Sequence, residues 1–203
     1  MPGIQCGDCR AKIGIDGKTY VYLNIPKNAS SFIKAAWDPS ESRNILKDQF
    51  PEDTEYVISI RDPFERWISG FAQDQIGNTD EHKVKQWEDV IENIDRDHNE
   101  HLRPQVSFFQ DLELKHITYF LVNDNLEQNI KHWAKGRVDI DEQKLYNGFN
   151  LNQYNQSVND PEKMKVINWL RLEISLDPSR KQTIQEFYQD DYKFIQNTNF
   201  YKI

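Results

Sequence analysis

The chain has only two cysteines among its 203 residues, Cys6 and Cys9, which excludes a disulfide framework. Glycine and proline number eight each, too few for a collagen-like or linker-like polymer. No apolar run approaches the roughly 20 residues that a membrane-spanning helix needs. The opening Met1-Pro2-Gly3-Ile4-Gln5 lacks a basic segment followed by an apolar one, so no signal peptide is read, and the expectation is a soluble intracellular protein. Positive charge is also scarce: 25 Lys and Arg face 33 Asp and Glu, for a net charge of −8. That balance argues against a nucleic-acid partner, which calls for a basic face, but leaves room for a local basic pocket. Finally, no Gly-x-x-x-x-Gly-Lys-Ser/Thr occurs, which disfavours an ordinary nucleoside triphosphatase.

What is abundant is aromatic: 5 Trp, 9 Tyr and 11 Phe. Disordered chains are poor in such residues, so the mean hydropathy of −0.82 signals a polar surface around a real core. The length suits one domain. Residues 1–18 are irregular and Gly-rich and read as an N-terminal arm or small hairpin, with the main domain at 19–203. Thr19 to Ile25 reads as a buried strand stopped by Pro26, Ser30 to Trp37 as a helix, and Tyr56 to Ile60 as a second strand. Asp62 as cap, Pro63 at the first helical position and Glu65 at the third predict a helix start. Val84, Trp87, Ile91 and Ile94 fall at helical spacing. Ile117 to Val122 reads as a third strand before a helix at about 126–133, residues 138–160 as a long polar loop, and 162–174 and 178–195 as closing helices, the second capped by Asp177. Strands alternating with helices predict an α/β domain with a mainly parallel sheet flanked by helices.

In such sheets ligands bind at the carboxyl ends of strands, where helix N-termini meet anions. Two junctions qualify. Pro26-Lys27-Asn28-Ala29-Ser30-Ser31 offers one cation, two hydroxyls and small residues. Arg61 ends the second strand, and Ser69 lies eight residues further, two turns into the next helix. An Arg there can grip a phosphate with two parallel bonds. Each segment alone also has a plainer reading, as a surface lysine, a helix cap or an ion-pair partner. Two separate anion sites point to a ligand with two anionic groups.

With these residues in view, Tyr22 to Ser31 resembles the 5′-phosphosulfate loop of sulfotransferases that use 3′-phosphoadenosine 5′-phosphosulfate (PAPS), and Ile58 to Phe71 resembles their 3′-phosphate segment. The likeness is nearest to carbohydrate sulfotransferases of the chondroitin and dermatan kind. Asn99-Glu100-His101-Leu102-Arg103-Pro104-Gln105 is similar to a family segment that precedes a strand, and Phe187 to Phe194 to its C-terminal helix. The resemblance implies a P-loop-like sulfotransferase fold and PAPS as sulfuryl donor, held by Pro26, Lys27, Asn28, Ala29, Ser30, Ser31, Arg61 and Ser69. It implies no metal, and a hydroxyl acceptor, a saccharide. Enzymes of that family usually sit behind a transmembrane anchor, and none is read in this sequence. Relatives of the heparan 2-O type place a His base between the phosphate motifs, an interval that here holds no His.

By this reading Lys27 neutralises charge on the departing 5′-phosphate. The acceptor needs a general base, for which His101 is the first choice and Glu100 the second. His116 and His132 read as structural. Lys131, Lys135 and Arg137 form a late basic cluster that faces either an anionic acceptor or solvent. Cys6-Gly7-Asp8-Cys9 supplies half a zinc site without its second half and reads as plain thiols. The competing readings are an atypical small-molecule kinase, a nucleotide-binding module without turnover, and a charged interaction domain. The oligomeric state is not readable from the sequence.

Overall fold

The computed structural model describes residues 8–38, 40–46, 48–75, 100–146 and 161–203. The periodic helical stretch around Val84 to Ile94 lies outside the described residues. So do Cys6, His82 and His98.

Five strands form one sheet: β1 (Asp8–Ile13), β2 (Thr19–Leu23), β3 (Glu41–Asn44), β4 (Glu55–Ile60) and β5 (Ile117–Leu121). Their order is β3-β1-β2-β4-β5. Among the described residues seven α-helices accompany them: α1 (Ser30–Trp37), α2 (Pro63–Gln75), α3 (Leu126–Ala134), α4 (Glu142–Tyr146), α5 (Pro161–Leu176), α6 (Pro178–Phe187) and α7 (Gln189–Asn197). A 3-10 turn spans Gln105–Phe108.

Period-two alternation sorts the strand side chains onto two faces. Tyr20, Tyr22, Val57 and Phe120 pack on one side with α1 and α3. There the Trp37 and Trp133 rings stack at 6.0 Å, and Tyr20 meets Trp133 edge-on at 5.6 Å. Val21, Leu23, Ile58 and Ile60 point to the other side, against Phe108, Phe109 and Phe194. A third apolar cluster joins Trp67, Ile68 and Phe71 of α2 to Ile167, Leu170 and Ile174 of α5 and to Ile184 and Tyr188.

The sheet is mixed rather than mainly parallel. β2, β4 and β5 are parallel, but β1 pairs antiparallel with both β2 and β3. The reason is local: Asp8–Ile13, read from sequence within the arm or hairpin, is a strand that returns through a turn at Gly14–Lys18, where Gly17 takes φ 82°. Its charged and apolar residues alternate, but over only six positions and with small buried side chains, Cys9 and Ala11, so little apolar surface marks the strand. Two further elements differ from the sequence reading. The polar stretch from 138 contains the short helix α4, while residues 147–160 lie outside the described ones. The closing helix is broken at Tyr188 into α6 and α7, and the Tyr188 hydroxyl there donates to the Leu102 carbonyl.

Both cap assignments hold. Asp62 Oδ1 accepts from Glu65 N at 2.9 Å, and Asp177 Oδ1 accepts from Ser179 N at 3.1 Å.

Candidate active site

Because β2 and β4 are adjacent and parallel, the loops leaving them emerge side by side at one sheet edge. The β2 loop runs into α1, and the β4 loop runs through Arg61 and Asp62 into α2. A reciprocal pair of bonds stitches them. Asn28 Nδ2 donates to Ser59 O at 2.7 Å, and Ser59 Oγ donates to Asn28 O at 2.7 Å. Tyr22 OH lies 3.1 Å from the same Ser59 hydroxyl.

The β2 loop is bent by two left-handed residues, Lys27 at φ 67° and Ala29 at φ 62°. Side chains with a Cβ resist this conformation by about 1–2 kcal/mol each, so the loop is held in shape by its surroundings. The first helical bond, Ile33 N to Ala29 O at 3.0 Å, places the N–H groups of Ser30 and Ser31 at the opening of α1, facing the loop. Asn28 and Ala29 are fully buried, whereas Ser30 is partly exposed and Ser31 exposed.

Arg61 is 2% exposed at the end of β4, and its Nη1 donates to the Lys27 carbonyl at 3.3 Å. Ser69 is buried on α2. Gln73, one turn beyond Ser69 on the same face, accepts from Lys27 Nζ at 3.1 Å. The structure thus brings the two sequence-assigned anion segments into direct contact.

Glu100 and His101 are joined to them through backbone. Arg66, fully buried on α2, donates from Nε to Pro26 O at 3.0 Å, from Nη1 to Arg103 O at 2.5 Å and from Nη2 to Glu100 O at 3.1 Å. Burial holds its guanidinium below the ordinary arginine range. The 100–103 segment also presses on α2 at Gly70, where a Cβ would sit 2.4 Å from the His101 carbonyl oxygen. His101 Nε2 lies 3.9 Å from Glu100 Oε1, and both side chains reach solvent.

Sequence reasoning missed the residues that organise this edge. Gln105 Oε1 accepts from Asn28 Nδ2 at 2.6 Å and from Arg61 N at 2.9 Å, while its Nε2 donates to Arg61 O at 2.8 Å. Asp191 in turn accepts from Gln105 N at 2.8 Å and Val106 N at 2.9 Å. Burial raises the Asp191 carboxyl, opposed by these N–H bonds and by Arg66. Gln105 and Asp191 stand in segments that carried the family likeness, but their residue types give no signal of such a role. Arg66 was similarly hidden beside the more conspicuous Arg61.

The remaining candidates have local partners. His132 Nδ1 meets Tyr201 OH at 2.7 Å. Lys131 pairs with Glu127 at 2.7 Å, and Arg137 donates to Trp133 O at 2.7 Å, so two members of the late basic cluster are engaged by their own helix or its end. Cys9 is buried, and desolvation, with Asp8 adding to it, pushes its thiol up to about 12. Among the described residues no group of three His, Cys, Asp or Glu side chains could hold a metal, and no helix is long and apolar enough to cross a membrane.

Residues 16–196 match the sequence model of the sulfotransferase family, a span that contains the loops after β2 and β4, the Arg66 link and the Gln105–Asp191 pair. The chain belongs to the sulfotransferase family. No curated protein and no solved structure gives a match. For a sulfotransferase, the mixed five-strand sheet with helices against it is a consistent architecture, and the family's chemistry is sulfuryl transfer.

Proposed function

We propose that this sulfotransferase moves the sulfuryl group of PAPS to a hydroxyl of a saccharide acceptor by in-line displacement. The observation that carries the reading is the bond from Arg61 to the Lys27 carbonyl. It couples the strand-end arginine to the left-handed loop, so two anion sites face one ligand. Arg61 and Ser69 hold the 3′-phosphate. Ser30, Ser31 and the N–H groups at the start of α1 receive the 5′-phosphate, with Pro26, Asn28 and Ala29 shaping the loop. Lys27, which reaches Gln73 in this structure, neutralises the charge that grows on the bridging oxygen, which leaves with the 5′-phosphate as its bond to sulfur breaks. Sulfuryl transfer asks the protein mainly for positioning and charge stabilisation, as phosphoryl transfer does. His101 takes the acceptor proton, with Glu100 beside it as the alternative base. The saccharide acceptor rests on the likeness of the Asn99 to Gln105 segment to carbohydrate enzymes.

The test is calorimetric titration with 3′,5′-adenosine bisphosphate, without metal, on the wild type and on Arg61→Ala and Ser69→Ala. Micromolar binding in the wild type that collapses in Arg61→Ala and weakens in Ser69→Ala is the expected result. Binding of ATP with Mg²⁺ in its place would establish the kinase reading, and silence with both would leave a domain that binds no nucleotide. Binding of the bisphosphate with no transfer to any hydroxyl would leave a module without turnover.

A further inference from the structure

Gln105 is fully buried between the loops that leave β2 and β4. A carboxamide can accept two hydrogen bonds at its oxygen and donate two from its nitrogen, and here all four are made. Oε1 accepts from Asn28 Nδ2 and Arg61 N, while Nε2 donates to Arg61 O and, at 3.3 Å, to Asp191 Oδ2. Arg61 is thus held at both its N–H and its C=O, as a residue is held by a neighbouring strand. A backbone held at both groups fixes the direction in which its side chain leaves the sheet. In the other loop, Asn28 stands between the two left-handed residues Lys27 and Ala29. Its Oδ1 has no hydrogen-bond partner among the described residues, so its side chain is held through Nδ2 alone, by Ser59 O and Gln105 Oε1. A loop of this shape needs such a hold, because a Cβ disfavours positive φ. The Gln105 amide can serve both loops in one orientation only. Turned over, it would set its oxygen against the Arg61 carbonyl and the Asp191 carboxylate, and its N–H groups against two other donors. Asp191, 1% exposed on α7, selects the working orientation and anchors the segment by accepting from the backbone N–H groups of Gln105 and Val106.

We infer that Gln105 is a positioning residue for sulfuryl transfer that holds both loops in register, and that Asp191 acts through it. This rests on the donor assignment proposed above, in which the loop after β2 receives the 5′-phosphate and Arg61 the 3′-phosphate. Both residues are buried, and they act on the donor through the Arg61 backbone and through Asn28. One amide therefore sets the spacing between the two phosphate subsites, and a helix near the end of the chain sets that amide.

The experiment measures 3′,5′-adenosine bisphosphate binding by calorimetry, well below the melting temperature, and the two phosphorus resonances of the bound ligand by NMR at saturating protein. Gln105→Met keeps the length of the side chain and removes all four bonds. Affinity should fall roughly tenfold to a hundredfold, the scale of effect that follows from a misplaced binding group. Both phosphorus resonances should move back toward their free positions, because both loops lose their hold. Asp191→Asn should weaken binding less, by about threefold to tenfold. The double variant should be no weaker than Gln105→Met alone, as expected of two residues in one chain of bonds. Affinity in Gln105→Met within about twofold of wild type, whatever its Tm, would make Gln105 a structural pillar; it would overturn the inference and leave the donor assignment standing. Movement of one phosphorus resonance only would also overturn it, and additive losses in the double variant would remove Asp191 from the role. If Gln105→Met does not fold, Asp191→Asn carries the test: weaker binding with both resonances moved supports the inference, and wild-type affinity overturns it. If the wild type binds no bisphosphate, the donor assignment itself fails, and the positioning role fails with it.

Discussion

Arg66 Nε donates to the Pro26 carbonyl at 3.0 Å, so the helix that follows β4 holds the loop that follows β2. The other two nitrogens of the same guanidinium hold Glu100 O and Arg103 O. One buried side chain thus fixes three segments that the candidate chemistry requires together. The planar fork suits this task, because it presents donors in fixed directions.

Arg66→Met should therefore unfold far more easily. Three carbonyls lose their donor, and a buried unsatisfied polar group costs about 1–3 kcal/mol, so the loss should be about 3 kcal/mol or more. For a domain of this size that lowers Tm by roughly 6–12 °C. Arg66→Lys should recover only a part, since an ammonium cannot span all three acceptors. Thermal melting of both variants checks this; a shift below about 2 °C in Arg66→Met would deny Arg66 its bridging role.

Lys27 combines a left-handed backbone with a charged side chain, and the two contributions separate experimentally. Lys27→Gly and Lys27→Ala both remove the ammonium, and both should abolish sulfuryl transfer. Only glycine also relieves the positive φ. Lys27→Gly should therefore be more stable than Lys27→Ala by about 1 kcal/mol in denaturant unfolding. Equal stabilities would mean that the loop relaxes without its strain.

His101 and Glu100 face each other at 3.9 Å, and either could accept the acceptor proton. Loss of a general base lowers kcat by roughly 10²–10⁴-fold. His101→Ala should show that loss while 3′,5′-adenosine bisphosphate affinity stays within about twofold, because the donor site is untouched. Glu100→Gln should lower kcat by less. The reverse ranking would move the base to Glu100, and unchanged rates in both variants would remove this segment from the chemistry.

The sequence exposes those parts of the molecule whose signals are local. The Asp62-Pro63-x-Glu65 start of α2 and the Asp177 cap lie within a few residues, and both caps form. The two strand-to-helix junctions expected to take anions were legible as junctions because strand, turn and helix follow each other in the chain. That they lie side by side was not, since it follows from the parallel pairing of β2 with β4. What was not legible depends on long-range encounters. Asp191 reaches Gln105 across 86 positions and Lys163 reaches Gln73 across 90, and no periodicity encodes such pairings. β1 was obscured for a different reason: it alternates charged and apolar residues over only six positions, and its buried members, Cys9 and Ala11, are small.

Cys9 provides a test of that strand. Its thiol is raised by burial from 9.0 to about 12, so between those values the unfolded chain releases a proton that the folded chain keeps. Rising pH then favours the unfolded state. The contribution is fully present below pH 9 and is lost as pH climbs toward about 12. The slope from one proton is about 1.4 kcal/mol per pH unit. Cys9→Ala removes this dependence and leaves every other titrating group in place. Wild-type stability should therefore fall more steeply than that of Cys9→Ala above pH 9, and the two should run parallel below it. In the native protein a thiol reagent at pH 8 should leave Cys9 unmodified until denaturant is added. Parallel stability curves throughout, or rapid native labelling of Cys9, would show that β1 is not closed over its inner face.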